Sequence, residues 1–352
     1  MPIGHSADTL TDGPRVSALG VRFNIPAAVA ELDGVELDLD WPLHATTRFT
    51  PDGHGGWELN LHRPPVQRFE YRLQMRSGSR TTTDVDPTNP LQVPGPYGAR
   101  SEIRFPGYEM PQWLAVPELG TVTTVVDPAG ALPRPVPVQV FSPAGLESST
   151  PAPLLLAHDG SDLAQRGCLL QWACAQDRPV RVALVDPPHG YRNAWYGANP
   201  EYADHLGATL LPHLRRLFPT TSVLGLGTSL GALATLYGHR RHPAALDAMV
   251  LQSGSFFRRE LDGQESAWTE FAQVCTAVEK MSGAAATDVR PVPTLLTVGT
   301  VEENRGNNER MVGALAFQRY PLDARLVPDA HTVLGWRDAW SPGMDELLAR
   351  LP

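Results

Sequence analysis

The chain has 352 residues, 42% of them hydrophobic and 19% charged, with a formal net charge of −9. That length suits two domains with sizeable cores, and the acidic balance excludes a general nucleic-acid binder, which needs a basic face for phosphates, while leaving room for a local cationic pocket. The apolar runs fall short of the roughly 20 residues a membrane helix needs.

In chain order, the N-terminus MPIGHSADTLTDGPRVS lacks a basic start followed by an apolar core, so no leader is expected. Residues 16–85 then read as short strands. VSALGVRFNI, GVELDLDW, HATTRFT, GGWELNLH and QRFEYRLQM alternate apolar and polar positions, with turn signals such as PDGHGG between them. A small β-sandwich is expected. Trp41 and Trp57 are possible glycan platforms on it, or core residues. A Pro/Gly-rich stretch follows, with a linker placed near 105–118 between domains at 1–112 and 117–352.

From about residue 119 short apolar runs alternate with helical stretches. The runs are PAPLLLAHD, PVRVALVDP, TSVLGLG, DAMVLQSG, PTLLTVG and DARLVPD. Between them lie LAQRGCLLQWACAQ, YADHLGATLLPHLRRLF, LGALATLYGHRRH and NERMVGALAFQRY. This alternation predicts a mostly parallel sheet covered on both faces. TVTTVVD and PVPVQVFSP predict two antiparallel strands ahead of it. Cys168, Cys174 and Cys275 have no metal-ligand spacing and read as free thiols of a cytoplasmic protein.

Gly227-Thr228-Ser229-Leu230-Gly231 sits between the strand SVLGL and a helix of small residues. In that context Ser229 reads as a nucleophile on a sharp strand-to-helix turn, and the amide of Leu230 falls where an oxyanion would form. Such hydrolases order their catalytic residues Ser, Asp/Glu, His. His331, after the last strand, is the expected base. Glu302, just beyond PTLLTVG, is the preferred acid, with Glu303 and Asp329 as rivals. The loop HDGSD offers Gly160 and Ser161 as further backbone donors, and Asp159 as a holder of polar substrate groups. His239 and His242 read as solvated helix-end residues.

These segments together resemble the enterochelin (ferric enterobactin) esterases. GGWELNL, FEYRLQM and DVDPTNP are similar to that family's N-terminal domain and its Asp-Pro-x-Asn-Pro exit. LLLAHDG, DPPHGYRNAWYGANPEYADHLGATLLPHL, GTSLGAL and HTVLGWRDAW are similar to segments of its catalytic domain. The resemblance implies an α/β-hydrolase with a doubly wound, mostly parallel sheet behind a small all-β immunoglobulin-like sandwich. It implies a cytoplasmic serine esterase that opens the ester backbone of a catecholate siderophore, with no resident cofactor or metal. Ser229, His331 and Glu302 would be the triad, with Leu230, Ser161 and Gly160 around the oxyanion. Arg192 falls where the family has an arginine suited to an anionic ferric catecholate, although a loop ion pair would equally account for it. Trp336 and Arg337 match the family's Trp-Arg ending and join Asp159 as expected substrate-binding residues. Further candidate cations are Arg258, Arg259 and Arg305. This chain departs from the family in lacking an aromatic after Asp-Gly, in having His158 where the family has an apolar residue, and in a short segment over 255–292. The same triad could serve another small ester or an acyl transfer. A non-catalytic, glycan-binding scaffold is the reading from a different class.

Overall fold

The computed structural model describes residues 13–26, 32–41, 43, 45–128 and 130–352; the N-terminal segment 1–12, part of the stretch read for a leader, lies outside them. The chain divides into two compact units. The first comprises Met1–Glu109 with Pro328–Ala330, and the second Met110–Val327 with His331–Pro352.

The first unit holds two antiparallel sheets. One is ordered Arg15–Ser17, Gly20–Ile25, Trp57–His62, Thr50–Pro51. The other is ordered Gly34–Asp38, Arg68–Ser77, Gly98–Arg104, Gln92–Gly95, with Arg80–Asp84 also paired to Arg68–Ser77. Alternation sends one face of each strand inward, and the rings meet there: Phe23 packs edge-on against Tyr71 with centroids 5.2 Å apart. Trp41 belongs to this core. It is buried and edge-on to Phe69, so it is not a ligand platform. The DVDPTNP motif is a structural clasp. Asp86 accepts from the Tyr71 hydroxyl at 2.7 Å and from the amide of Thr88, while the Asn89 amide donates to the carbonyl of Glu102.

In the second unit eight strands form one sheet: β1 Gly120–Val125, β2 Val138–Pro143, β3 Ala152–His158, β4 Arg181–Val185, β5 Thr220–Thr228, β6 Ala248–Gln252, β7 Thr294–Gly299 and β8 Leu322–Val327. Their spatial order is β1-β2-β4-β3-β5-β6-β7-β8. The first two are antiparallel, and all pairs from β4 to β8 are parallel. Every residue of β3, β4, β6 and β7 is buried. Their side chains alternate between two apolar layers, so Val223 and Met249 face one and Leu224 and Val250 the other.

The linker reading changes in two places. Gln92–Gly95 and Gly98–Arg104 pair as a hairpin despite their Pro/Gly content. Trp113 is buried and stacks on Trp340 at 5.7 Å, which anchors 110–116 in the second unit. The helical stretch after β3 breaks into Gly160–Gly167 and Leu169–Cys174, because Cys168 takes a left-handed conformation with φ 58° and closes the first helix onto Leu163.

Candidate active site

The functional candidates gather at the carboxyl ends of the parallel strands, the edge where an open α/β sheet presents its ligand crevice. Ser229 follows β5 directly and caps the helix Leu230–Arg241, with φ 54° and ψ −122°. A non-glycine residue at positive φ is strained and persists where its surroundings fix it. Here the Ser229 amide donates to the carbonyl of Gln252 at 2.9 Å. Gly227 is a steric requirement, since a Cβ there would lie 2.1 Å from the carbonyl oxygen of Gly231; one on Gly231 would lie a tight 3.1 Å from the Cβ of His158. Leu230 supplies the first amide of the helix, which has no intrahelical acceptor. The Ser229 hydroxyl lies 3.3 Å from that of Ser255.

His331 follows β8 and Glu302 follows β7. Their side chains meet, Nδ1 to Oε2, at 2.6 Å. With the carboxylate accepting, Nδ1 carries the hydrogen and Nε2 presents its lone pair. Glu302 is buried and fully engaged: its other oxygen accepts from the Ser253 hydroxyl at 2.6 Å and from the Gly299 amide. The Ser253 hydroxyl in turn accepts from the Trp336 indole at 2.9 Å, and the indole stands edge-on to the His331 ring at 4.9 Å. Trp336 thus packs against the His331–Glu302 pair. Of the rival acids, Glu303 is exposed, and Asp329 bonds Arg68 and its neighbour's amide.

The loop after β3 differs from expectation. Ser161 does not offer a free amide. Its N–H donates to Asp186 Oδ1 at 3.1 Å and its hydroxyl to Oδ2 at 2.6 Å, so the first turn of the helix is already capped. Gly160 is packed so closely that a Cβ would lie 2.4 Å from the Cα of Leu184. Asp159, left-handed at φ 51°, takes a bidentate grip on Arg192, with contacts of 2.7 to 3.0 Å. Its carboxylate oxygen is 3.7 Å from where a Gly231 Cβ would stand, which puts the ion pair beside the elbow. The Arg192 guanidinium lies over the Tyr196 ring and remains partly exposed.

The other expected cations are occupied. Arg337 is nearly buried and bonds Asp338 at 2.7 Å, which corrects its reading as a substrate contact. Arg258 and Arg259 hold Ser282 and Thr276, and Arg305 pairs with Glu309 one turn on. His239 is also corrected: it is buried and bonds the carbonyl of Arg290, because the helix it ends is enclosed for almost its whole length. His242 pairs with Asp204. The sequence reading missed Ser253, Ser255 and the asparagines that hold their loop. Asn308 both accepts from the amide of Gly254 and donates to its carbonyl, and Asn304 donates to the carbonyl of Ser253. The available signal was a run of small polar residues, QSGS, at the end of a buried strand.

Beneath the elbow, His158 is fully buried. The Thr235 hydroxyl donates to the carbonyl of Gly231 and so accepts from His158 Nδ1 at 3.0 Å. Burial pulls His158 down to about 4, and burial does the same to His239. In the unfolded chain both titrate near 6.5. Between pH 6.5 and 4 the unfolded state therefore binds protons that the folded state refuses, and stability falls as pH falls through that window. Each histidine is expected to cost about 3 kcal/mol by pH 4. His158→Leu should flatten the acid side of the stability curve by that share. Urea unfolding at pH 7 and pH 4.5 measures it, and an unchanged slope in the variant would refute the assignment.

A family model described as "Putative esterase" matches residues 129–321. No curated protein sequence matches the chain. Among solved structures, it superposes on an enterobactin esterase from Shigella flexneri, crystallised in the presence of enterobactin, with a TM-score of 0.74 at 19% identity over 96% of both chains. The ferric enterobactin esterase from Salmonella typhimurium gives 0.73 at 17% identity over 97% of both. A ferulic acid esterase gives 0.54 at 16% identity, covering 66% of this chain and 99% of its own. Likeness at these identities shows the mixed α/β fold. The matched residues 129–321 are more than half of the 352 in the chain, and the protein belongs to that esterase family.

Proposed function

We propose that this protein is a serine esterase acting on an anionic, catechol-bearing ester of the siderophore trilactone type within the cytoplasm, any iron arriving with the substrate. Ser229 Oγ attacks the ester carbonyl while His331 Nε2 takes its proton. The oxyanion is met by the amides of Leu230 and Gly160. His331 then returns the proton to the departing alkoxide, leaving an acyl-enzyme, and water repeats the cycle to release the acid. Glu302 holds the imidazole in the tautomer that can accept. The observation that carries this reading is the 2.6 Å Glu302–His331 pair at the strand edge that also bears the strained Ser229.

Arg192 supports the anionic substrate, since Asp159 holds it rigidly by one edge over an aromatic ring beside the elbow. The similarity to enterobactin esterases spans both units, whereas the ferulic acid esterase covers only about the length of the second. We read the two-sheet first unit as the immunoglobulin-like sandwich of the siderophore enzymes.

The test is chromatography of products after incubation with the ferric and iron-free forms of a tricatecholate trilactone, beside Ser229→Ala. Serine-dependent appearance of linear trimer, dimer or monomer is expected. No turnover, with a fluorophosphonate still labelling Ser229, would sink the substrate while keeping the esterase. Arg192→Met should raise KM for a ferric catecholate ester about tenfold, equivalent to about 1.4 kcal/mol, and leave a neutral acetate ester unaffected. Equal losses on both substrates would instead assign Arg192 to holding the loop.

A further inference from the structure

Ser253 follows β6 and is buried, yet its backbone is left-handed at φ 48°. A serine keeps that conformation where its surroundings fix it, and such residues gather at functional sites. The surroundings here are specific. The Ser253 amide donates to the carbonyl of Thr297 at 2.7 Å, and its carbonyl accepts from the Asn304 side chain at 3.1 Å. Asn308 holds the next residue, Gly254, by its amide at 3.0 Å and by its carbonyl at 2.7 Å. Both asparagines are buried at the start of the helix Arg305–Phe317.

The hydroxyl that this backbone presents has one place for its hydrogen. The Trp336 indole can only donate and reaches Ser253 Oγ at 2.9 Å, so the oxygen accepts there. The hydrogen is left for Glu302 Oε1 at 2.6 Å, a distance typical of a hydroxyl bonded to a carboxylate. The last torsion of a glutamate is broad and two-fold, so the side chain alone does not choose between its oxygens. Ser253 and the Gly299 amide both engage Oε1, which leaves Oε2 for His331 Nδ1. The same short loop reaches the nucleophile. The Ser255 amide donates to the carbonyl of Ser229 at 3.1 Å, and the two hydroxyls lie 3.3 Å apart.

We propose that Ser253 is a positioning residue for Glu302: it fixes which oxygen faces His331, and it sets the acid from the loop that also touches Ser229. This rests on the reading of Ser229, His331 and Glu302 as a triad. Ser253→Ala should lower kcat on p-nitrophenyl acetate about tenfold with KM within about twofold, because a small misplacement of a catalytic group is costly. Ser253→Gly also lacks the hydroxyl but relieves the left-handed backbone. It should therefore melt above Ser253→Ala without recovering kcat. In Glu302→Gln the carboxylate is already gone, and adding Ser253→Ala should cost less than about a further twofold. A serine that only holds the fold would cost the same factor in both backgrounds, and glycine would recover activity along with stability. Either result overturns the proposal, as does a kcat within about twofold of the parent in Ser253→Ala.

NMR on the unmodified protein gives a test that no folding failure can void. The Ser253 hydroxyl hydrogen should persist in water long enough to give its own low-field resonance, because it is enclosed and bonded to a carboxylate. Exchange at the rate of an exposed serine overturns the proposal. Ser229→Ala, assayed alongside, separates the two readings. If it retains turnover, the triad reading fails; if it loses turnover while Ser253→Ala keeps it, the positioning role alone falls.

Discussion

Ser229→Ala is expected to leave a folded protein whose kcat on any ester substrate is lower by about 10⁴-fold or more, since removing the nucleophile of a Ser-His-acid triad leaves only the oxyanion donors and binding. The fold should hardly notice. Alanine keeps the Cβ that Ser229 already carries at φ 54°, and the amide bond to Gln252 is unaffected. What is lost is the hydroxyl contact with Ser255 at 3.3 Å, a bond at the long end of the range whose net worth is about 1 kcal/mol or less. Thermal midpoint and turnover should therefore separate cleanly. Fluorophosphonate labelling should vanish in the variant, and it should weaken in His331→Ala, where the hydroxyl lacks its base. Persistent turnover in Ser229→Ala with an intact fold would show that the chemistry belongs to another group, and Ser255, the hydroxyl neighbour, would be the first to test.

How much of this was legible in the sequence follows from how each contact is made. The elbow was legible because Gly227, Ser229 and Gly231 stand within five residues, and the clash that demands glycine at 227 is a local one with Gly231. His331 and Glu302 were legible because strand order places them, although they are 29 residues apart. Ser255 was not. It reaches Ser229 because β5 and β6 run side by side with Thr228 opposite Gln252, a register the sequence does not announce. The grip of Asp159 on Arg192 depends likewise on two loops that extend from adjacent strands, β3 and β4. It turned an expected substrate arginine into one already held along one edge. Ser161 misled because a helix N-terminus looks like a set of free donors until an acid such as Asp186 is seen to occupy it. The hairpin over 92–104 was hidden by glycine and proline, whose strand depletion reflects average packing. The helix Phe271–Gly283 lies in a stretch to which the sequence reading assigned no element.

The acid is where sequence left three candidates and geometry favours one, and Glu302→Gln tests the choice. The carboxylate meets two donors on one oxygen, the Ser253 hydroxyl and the Gly299 amide, and His331 Nδ1 on the other. A glutamine there has one oxygen and one NH₂ to offer. If its oxygen stays toward Ser253 and Gly299, its NH₂ faces Nδ1, which must then accept, and the imidazole hydrogen moves to Nε2. That tautomer cannot take a proton from Ser229. If the amide turns over, Nδ1 is satisfied but the buried Gly299 amide faces another donor, at a cost of about 1–3 kcal/mol. The first arrangement satisfies more partners, so the enzyme should fold in the wrong tautomer, with kcat lower by about 10⁴-fold as in other triads whose acid becomes an amide. Glu303→Gln should leave kcat within about twofold, since that side chain is exposed. Steady-state kinetics on the pair decides it: if Glu302→Gln stays within about tenfold of the parent while Glu303→Gln collapses, the acid has been misassigned. A loss confined to Glu302→Gln, with the thermal midpoint nearly held, would mean that this carboxylate works by fixing a hydrogen on Nδ1 and not by holding the fold.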